Sequence, residues 1–212
     1  MPLPTPYGFP PEPHVRRHGP GGYPEYGRFK DWLRDEFQFR CAYCLYREAW
    51  ERRGWRRFEI DHVTPQSIAP HRVLEYDNLV YACDACNNSK GDQILPSPCD
   101  LDYSKHVRFL EDGAVEALSL KGEYLIEILG LDIGYIERDR RKVFRNYAKL
   151  LELIEEYGEG IDEVRGELQE LLGYPDDPPN LKRKRPPRNT RPDGKDDCYF
   201  IRLKDPAFPR IY

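Results

Sequence analysis

Two Cys-x2-Cys pairs, Cys41/Cys44 and Cys83/Cys86, bracket residues 45–82 and constrain this chain more than any other feature. Each such turn delivers two thiolates to one point, and tetrahedral zinc takes four. The opening Met1-Pro-Leu-Pro-Thr-Pro lacks the basic and apolar regions of a secretory signal, and no run is apolar for long enough to span a bilayer. The expected compartment is therefore the cytosol, where cysteines stay reduced and bind metal or do chemistry. A shell of four thiolates is closed, so a zinc at Cys41, Cys44, Cys83 and Cys86 holds structure and leaves reaction chemistry to other residues. Cys99 and Cys198 fall outside the pattern and read as buried or tolerated thiols.

The remaining composition fits a soluble, surface-rich protein with a modest core. Of 212 residues, 39% are hydrophobic and 33% charged, and the twenty prolines concentrate near the two ends. A net charge of −4 argues against a generally basic nucleic-acid binder, but charge is unevenly spread. Arg47, Arg52, Arg53, Arg56 and Arg57 cluster, Lys182-Arg183-Lys184-Arg185 forms a second basic run, and acids gather over 152–177. Local patches decide where a polyanion docks.

The pattern divides into a Pro/Gly-rich arm (1–24), a module with the cysteines (25–95), a hairpin and helical extension (96–173) and a Pro-rich basic segment (174–212). The arm reads as disordered or ordered on contact, with His14 and His18 on the surface; His106 and His71 read as surface and loop residues. Phe29, Trp32, Leu33 and Phe37 recur at helical spacing, with Lys30, Arg34, Asp35 and Glu36 between them as the polar face. Residues 57–63 alternate like a strand, 79–83 form a second apolar run, and Asn87 or Asn88 can cap a following helix. Residues 104–120 predict a hairpin around Gly113. A long helix is expected over Tyr135–Tyr157, another over Ile161–Leu172, and a strand at Cys198–Leu203 that returns to the body.

Between the knuckles, Glu59-Ile60-Asp61-His62-Val63-Thr64-Pro65 puts a carboxylate beside an imidazole at the end of a strand. Strand neighbours point to opposite faces, so one of Asp61 and His62 can face a metal while the other faces a water. With Arg40-Cys41-Ala42-Tyr43-Cys44, Asn78-Leu79 and Cys83-x2-Cys86-Asn87-x2-Lys90-Gly91, this order resembles the HNH (ββα-metal) endonucleases over about residues 25–95. The resemblance implies an α+β fold: a ββα-metal module with a four-cysteine zinc site, followed by the hairpin and mainly helical extension. It implies that His62 is the general base, that Asn78 constrains the loop and orients it, and that Asp61 and Asn87 hold one divalent metal. Asn87 stands where the family more often has histidine, and its amide oxygen favours Mg2+ or Mn2+ over softer ions. Lys90 would bring an ammonium near the phosphate.

The implied substrate is a phosphodiester, with double-stranded DNA expected. For Arg52, Arg53, Arg56 and Arg57 two readings stay open, a grip on the nucleic-acid backbone or a solvated loop. The extension is loosely similar to that of standalone bacterial HNH proteins of phage-defence operons, which implies a partner ATPase and a defence role. A different class also stays open: a non-catalytic zinc module that binds nucleic acid or a partner protein.

Overall fold

The computed structural model describes residues 4–51, 54–158, 162–191 and 196–211. In chain order the regular elements are β1 (Pro20–Gly21), α1 (Lys30–Glu36), β2 (Phe58–His62), β3 (Leu79–Cys83), α2 (Asp84–Lys90), β4 (Val107–Phe109), β5 (Val115–Ala117), α3 (Leu120–Leu129), α4 (Gly134–Tyr157), α5 (Asp162–Leu172), β6 (Arg188–Asn189) and α6 (Tyr199–Arg202). The architecture is α+β, with three separate two-stranded antiparallel sheets among the described residues. No helix among the described residues is long and apolar enough to cross a membrane.

The central hairpin pairs β2 with β3 from Phe58↔Cys83 to His62↔Leu79. All of β3 is buried, as its unbroken apolar run Leu79-Val80-Tyr81-Ala82 requires. The chain turns from β3 directly into α2, with Cys83 still extended as the cap residue. The expected second hairpin is β4–β5, and Gly113 in its turn adopts φ +89°, open to glycine without strain. Gly122 lets α3 lie against this hairpin, because a Cβ there would sit 1.9 Å from the His106 carbonyl oxygen. The apolar stripe of α4 packs on α5 through Leu150, Val164, Leu168, Leu171 and Leu172, a small core apart from the main one. Ile161, the expected start of α5, lies outside the described residues.

Helix α1 departs from its amphipathic reading. Asp35 and Glu36, expected on the polar face, are both 0% exposed. The helix has only two turns, and both ends of the chain pass over the side that solvent would otherwise wet. Glu36 Oε1 accepts from His14 Nε2 and from the Arg17 amide, and Oε2 from the His18 amide and Tyr76 Oη. Asp35 Oδ2 accepts from His18 Nε2 at 2.8 Å and from Arg17, while Oδ1 accepts from the Tyr199 amide at 2.7 Å. His14 and His18 are therefore not surface residues; His18 is fully buried. Tyr7 of the same arm is buried against Trp50, Phe109 and Phe144.

The C-terminal expectation also changes. Residues 199–202 form the short helix α6 instead of a strand, because the Asp35 carboxylate accepts the first free amide of a helical turn. The strand-like contacts of this region are β1–β6 and an isolated bridge between Gly173 and Ile211.

Burial pushes the Glu36 carboxyl up, but the bonds from His14 and the Arg17 amide and the nearby His18 outweigh it and bring it to about 2. A carboxylate depressed on folding contributes stability above its unfolded value near 4.5, and that contribution disappears as pH falls toward 2. The unfolding free energy from urea titrations between pH 6 and 2 should therefore fall steeply below about 4.5, by on the order of 3 kcal/mol in total. In Glu36→Gln this window should flatten, and the variant should be less stable than the parent at pH 7.

Candidate functional site

The four cysteines meet as the spacing predicts. The sulfurs of Cys41, Cys44, Cys83 and Cys86 are buried, unoxidised and within 4.8 Å of one another. A zinc–thiolate tetrahedron with bonds of about 2.3 Å has edges of roughly 3.8 Å, and Cys44 Sγ lies 3.7 Å from Cys83 Sγ. The donor set fits a structural zinc. The first knuckle is built by Arg40–Arg47 pairing, by Cys41 N–H donating to the Tyr46 carbonyl and by Leu45 N–H donating to the Cys41 carbonyl. Leu45 takes φ 63°, a left-handed conformation held by its burial. The Ala42 amide donates to the Tyr81 carbonyl, which docks this knuckle on β3 and brings it to the second.

The residue inside the first knuckle reaches the Asp-His pair. Tyr43 Oη donates to Asp61 Oδ2 at 2.5 Å, and Lys90 Nζ donates to Asp61 Oδ1 at 3.1 Å and to the His62 carbonyl at 2.8 Å. Burial pushes the Asp61 carboxyl up, against the pull of the Lys90 ammonium and the Tyr43 hydroxyl. Burial, reinforced by Asp61, pushes the Tyr43 phenol well up, so it stays a donor. Lys90 is 1% exposed. Its charge is committed to Asp61 inside the module, and the sequence expectation of an ammonium at the phosphate is revised accordingly.

The His62 ring is held by partners other than those of Asp61. Its Nε2 lies 3.1 Å from the Val73 carbonyl, which fixes the proton on that nitrogen, and its Nδ1 accepts from Gln66 Nε2 at 3.2 Å. Burial pushes the imidazole below its ordinary value, which favours the neutral ring. The Tyr26 ring stands edge-on to it at 5.0 Å between centroids. Asn78, 1% exposed, ties the intervening loop to the strand: its Oδ1 accepts from the Thr64 amide and its Nδ2 donates to the Thr64 and Arg72 carbonyls. Because Arg72 and Val73 are neighbours, this side chain also fixes the carbonyl that holds His62.

Asp61, His62 and Asn87 line one open cleft, together with Tyr26, Lys30, Glu59, Gln66 and Asp92. Glu59 is a residue the sequence reading passed over. It sits two positions before Asp61 on the same strand face, and its Oε2 accepts from Asn87 Nδ2 at 2.6 Å. The period of the strand carries that signal. Glu59, Asp61 and Asn87 together offer hard oxygen donors suited to a small divalent cation.

Of the arginine cluster, Arg56 and Arg57 are not among the residues that line this cleft. Arg57 pairs with Asp84 at 2.6 Å and lines a separate hollow with Cys44, Cys83, Tyr135 and Arg140. Arg56 is exposed. Arg52 and Arg53 lie outside the described residues.

Residues 41–93 match the family model of the HNH endonucleases. The match takes in both knuckles, β2, β3 and α2, and it identifies this stretch as an HNH endonuclease domain. No curated protein matches the chain.

Two measurements follow from the geometry. Elemental analysis of purified protein should give one zinc per chain, and Cys83→Ser should lose it together with cooperative thermal unfolding. Asn78→Ala leaves buried amide and carbonyl groups unpaired and should cost roughly 1–3 kcal/mol in denaturant unfolding, with zinc content unchanged.

Proposed function

We propose that the cleft at Asp61 and His62 is the active site of an endonuclease that hydrolyses phosphodiester bonds of DNA, with His62 as general base. The observation that carries this reading is the His62 ring itself. The Val73 carbonyl takes the Nε2–H, leaving Nδ1 as a basic lone pair directed at the cleft. A neutral imidazole so oriented accepts a proton from a water positioned for in-line attack on phosphorus. Gln66, which donates to Nδ1 at 3.2 Å, marks the place such a water donor would take.

Asp61 and Asn87, with Glu59, would hold the divalent ion. Bound there, Mg2+ or Mn2+ neutralises charge on the scissile phosphate and stabilises the leaving oxygen. The chain's own part is to keep the donors apart from the base. Asp61 is fixed from behind by Tyr43 and Lys90, and His62 from its far edge by Val73, so the two groups of one dipeptide present different functions to the same cleft. Asn78 supports this indirectly by fixing the loop that carries Val73. A phage-defence role and an ATPase partner are implied by the family resemblance alone.

Supercoiled plasmid incubated with the full chain and Mg2+ or Mn2+ should be nicked or linearised. His62→Ala should slow this about a hundredfold or more while retaining zinc and thermal stability. Intact plasmid with wild type under both ions, alongside unimpaired DNA binding, would favour the non-catalytic module instead. Glu59→Gln should raise the Mg2+ concentration for half-maximal cleavage severalfold; an unchanged metal dependence removes Glu59 from the ligand set.

A further inference from the structure

We infer that the outer face of α4 is a second nucleic-acid contact, a basic stripe that grips the phosphate backbone of the duplex cut at the cleft. Arg138, Arg141, Lys142, Arg145 and Lys149 follow one another at helical spacings and are all exposed. At a rise of 1.5 Å per residue the row is roughly 16 Å long. The opposite face of the same helix carries Val143, Tyr147, Leu150 and Ile154, which pack on the α5 core. The stripe thus lies on the face turned away from the α5 core.

Helix energetics do not account for it. Cations stabilise the C-terminal end of a helix and anions the N-terminal end. Here the cations fill the N-terminal two thirds, while Glu152, Glu155 and Glu156 sit near the C-terminus and the last turn holds no basic residue. Like charges three and four residues apart also repel. Lys142 pairs with Asp139, and Arg141 donates to the Asp112 carbonyl. Arg138, Arg145 and Lys149 have no ion pair among the described residues. Several exposed cations elsewhere are matched, as in Arg57–Asp84, Arg72–Glu75, Arg108–Glu116 and Lys184–Asp31, whereas three unmatched ones share a single face of α4. In a chain of net charge −4, an unmatched row of this kind calls for an external polyanion.

The position of the stripe favours nucleic acid over an acidic protein. Tyr135, Ile136 and Asp139, at the start of α4, line one hollow with Asp84 and Asn88 of α2. The neighbouring residue of α2, Asn87, faces the cleft. The stripe therefore begins beside the helix that completes the nuclease module, and a duplex is the polyanion that reaches both. The identity of that polyanion rests on the nuclease reading; the existence of the contact does not.

The test uses the full chain carrying Arg138→Gln, Arg145→Gln and Lys149→Gln together, with binding to a fluorescent 30-base-pair duplex followed without added Mg2+ so that cleavage plays no part. These positions are exposed, so thermal stability and zinc content should match the parent. Affinity at 0.1 M salt should fall at least about tenfold, and the slope of log K against log salt should shrink by about 3. Equal affinity and slope in parent and variant would overturn the assignment, as would a parent that binds no duplex. Loss of a dimer by size-exclusion chromatography and light scattering, with duplex binding unchanged, would also overturn it and assign the stripe to the acidic end of α4 in a second copy. Binding lost in the variant while the parent fails to cleave plasmid would sustain the contact and sink only the enzymatic reading.

Discussion

A single buried carboxylate organises the candidate site. Asp61 is 5% exposed, and an unaccompanied charge at that depth would cost several kcal/mol. It is tolerated because a phenol and an ammonium converge on it from two places. Tyr43 stands between the cysteines of the first knuckle, and Lys90 ends the helix that the second knuckle opens. Neither donor can arrive unless the four thiolates hold the two knuckles together. The zinc frame therefore does more than stabilise a fold: it sets the electrostatics of the strand whose next residue is His62.

How much of this was legible depended on the distance over which each feature is encoded. The cysteine spacing, the alternation of Phe58–His62 and the stripe of α4 are local and periodic, and they translated directly into the cluster, β2 and the long helix. Glu59 was equally accessible, since the period that orients Asp61 orients the residue two before it. The Val73 carbonyl was not, because a backbone acceptor leaves no trace in residue identity. Lys90 was assigned by its place in a motif, and only tertiary packing decides whether a lysine's charge turns outward or inward. The arginines at 56 and 57 illustrate the weakness of charge runs: Arg57 is matched by Asp84 beside a different hollow.

The largest departures came from α1. Acids between apolar residues on a two-turn helix read as solvent-facing, and nothing nearby in sequence contradicts that. Their partners lie far away, His18 seventeen residues and Tyr199 one hundred and sixty-four residues from Asp35. The same long-range contact converted an apolar C-terminal run from an expected strand into α6. Propensity was outvoted by one carboxylate that needed donors.

This closure bears on what the molecule is as a physical object. The stretch recognisable by kinship, 41–93, is not the stretch that folds as one body. Trp32 and Leu33 of α1 belong to the same core as Leu79 and Tyr81, and so does Tyr7 from the arm. The N-terminal arm is fastened to Asp35 and Glu36 and the segment at Tyr199 to Asp35, so the two meet at one knot. Lineage and cooperativity draw different borders here. Trimming the chain to the inherited core would remove α1 and the fastening with it, leaving Leu79 and Tyr81 without the Trp32 and Leu33 that share their core.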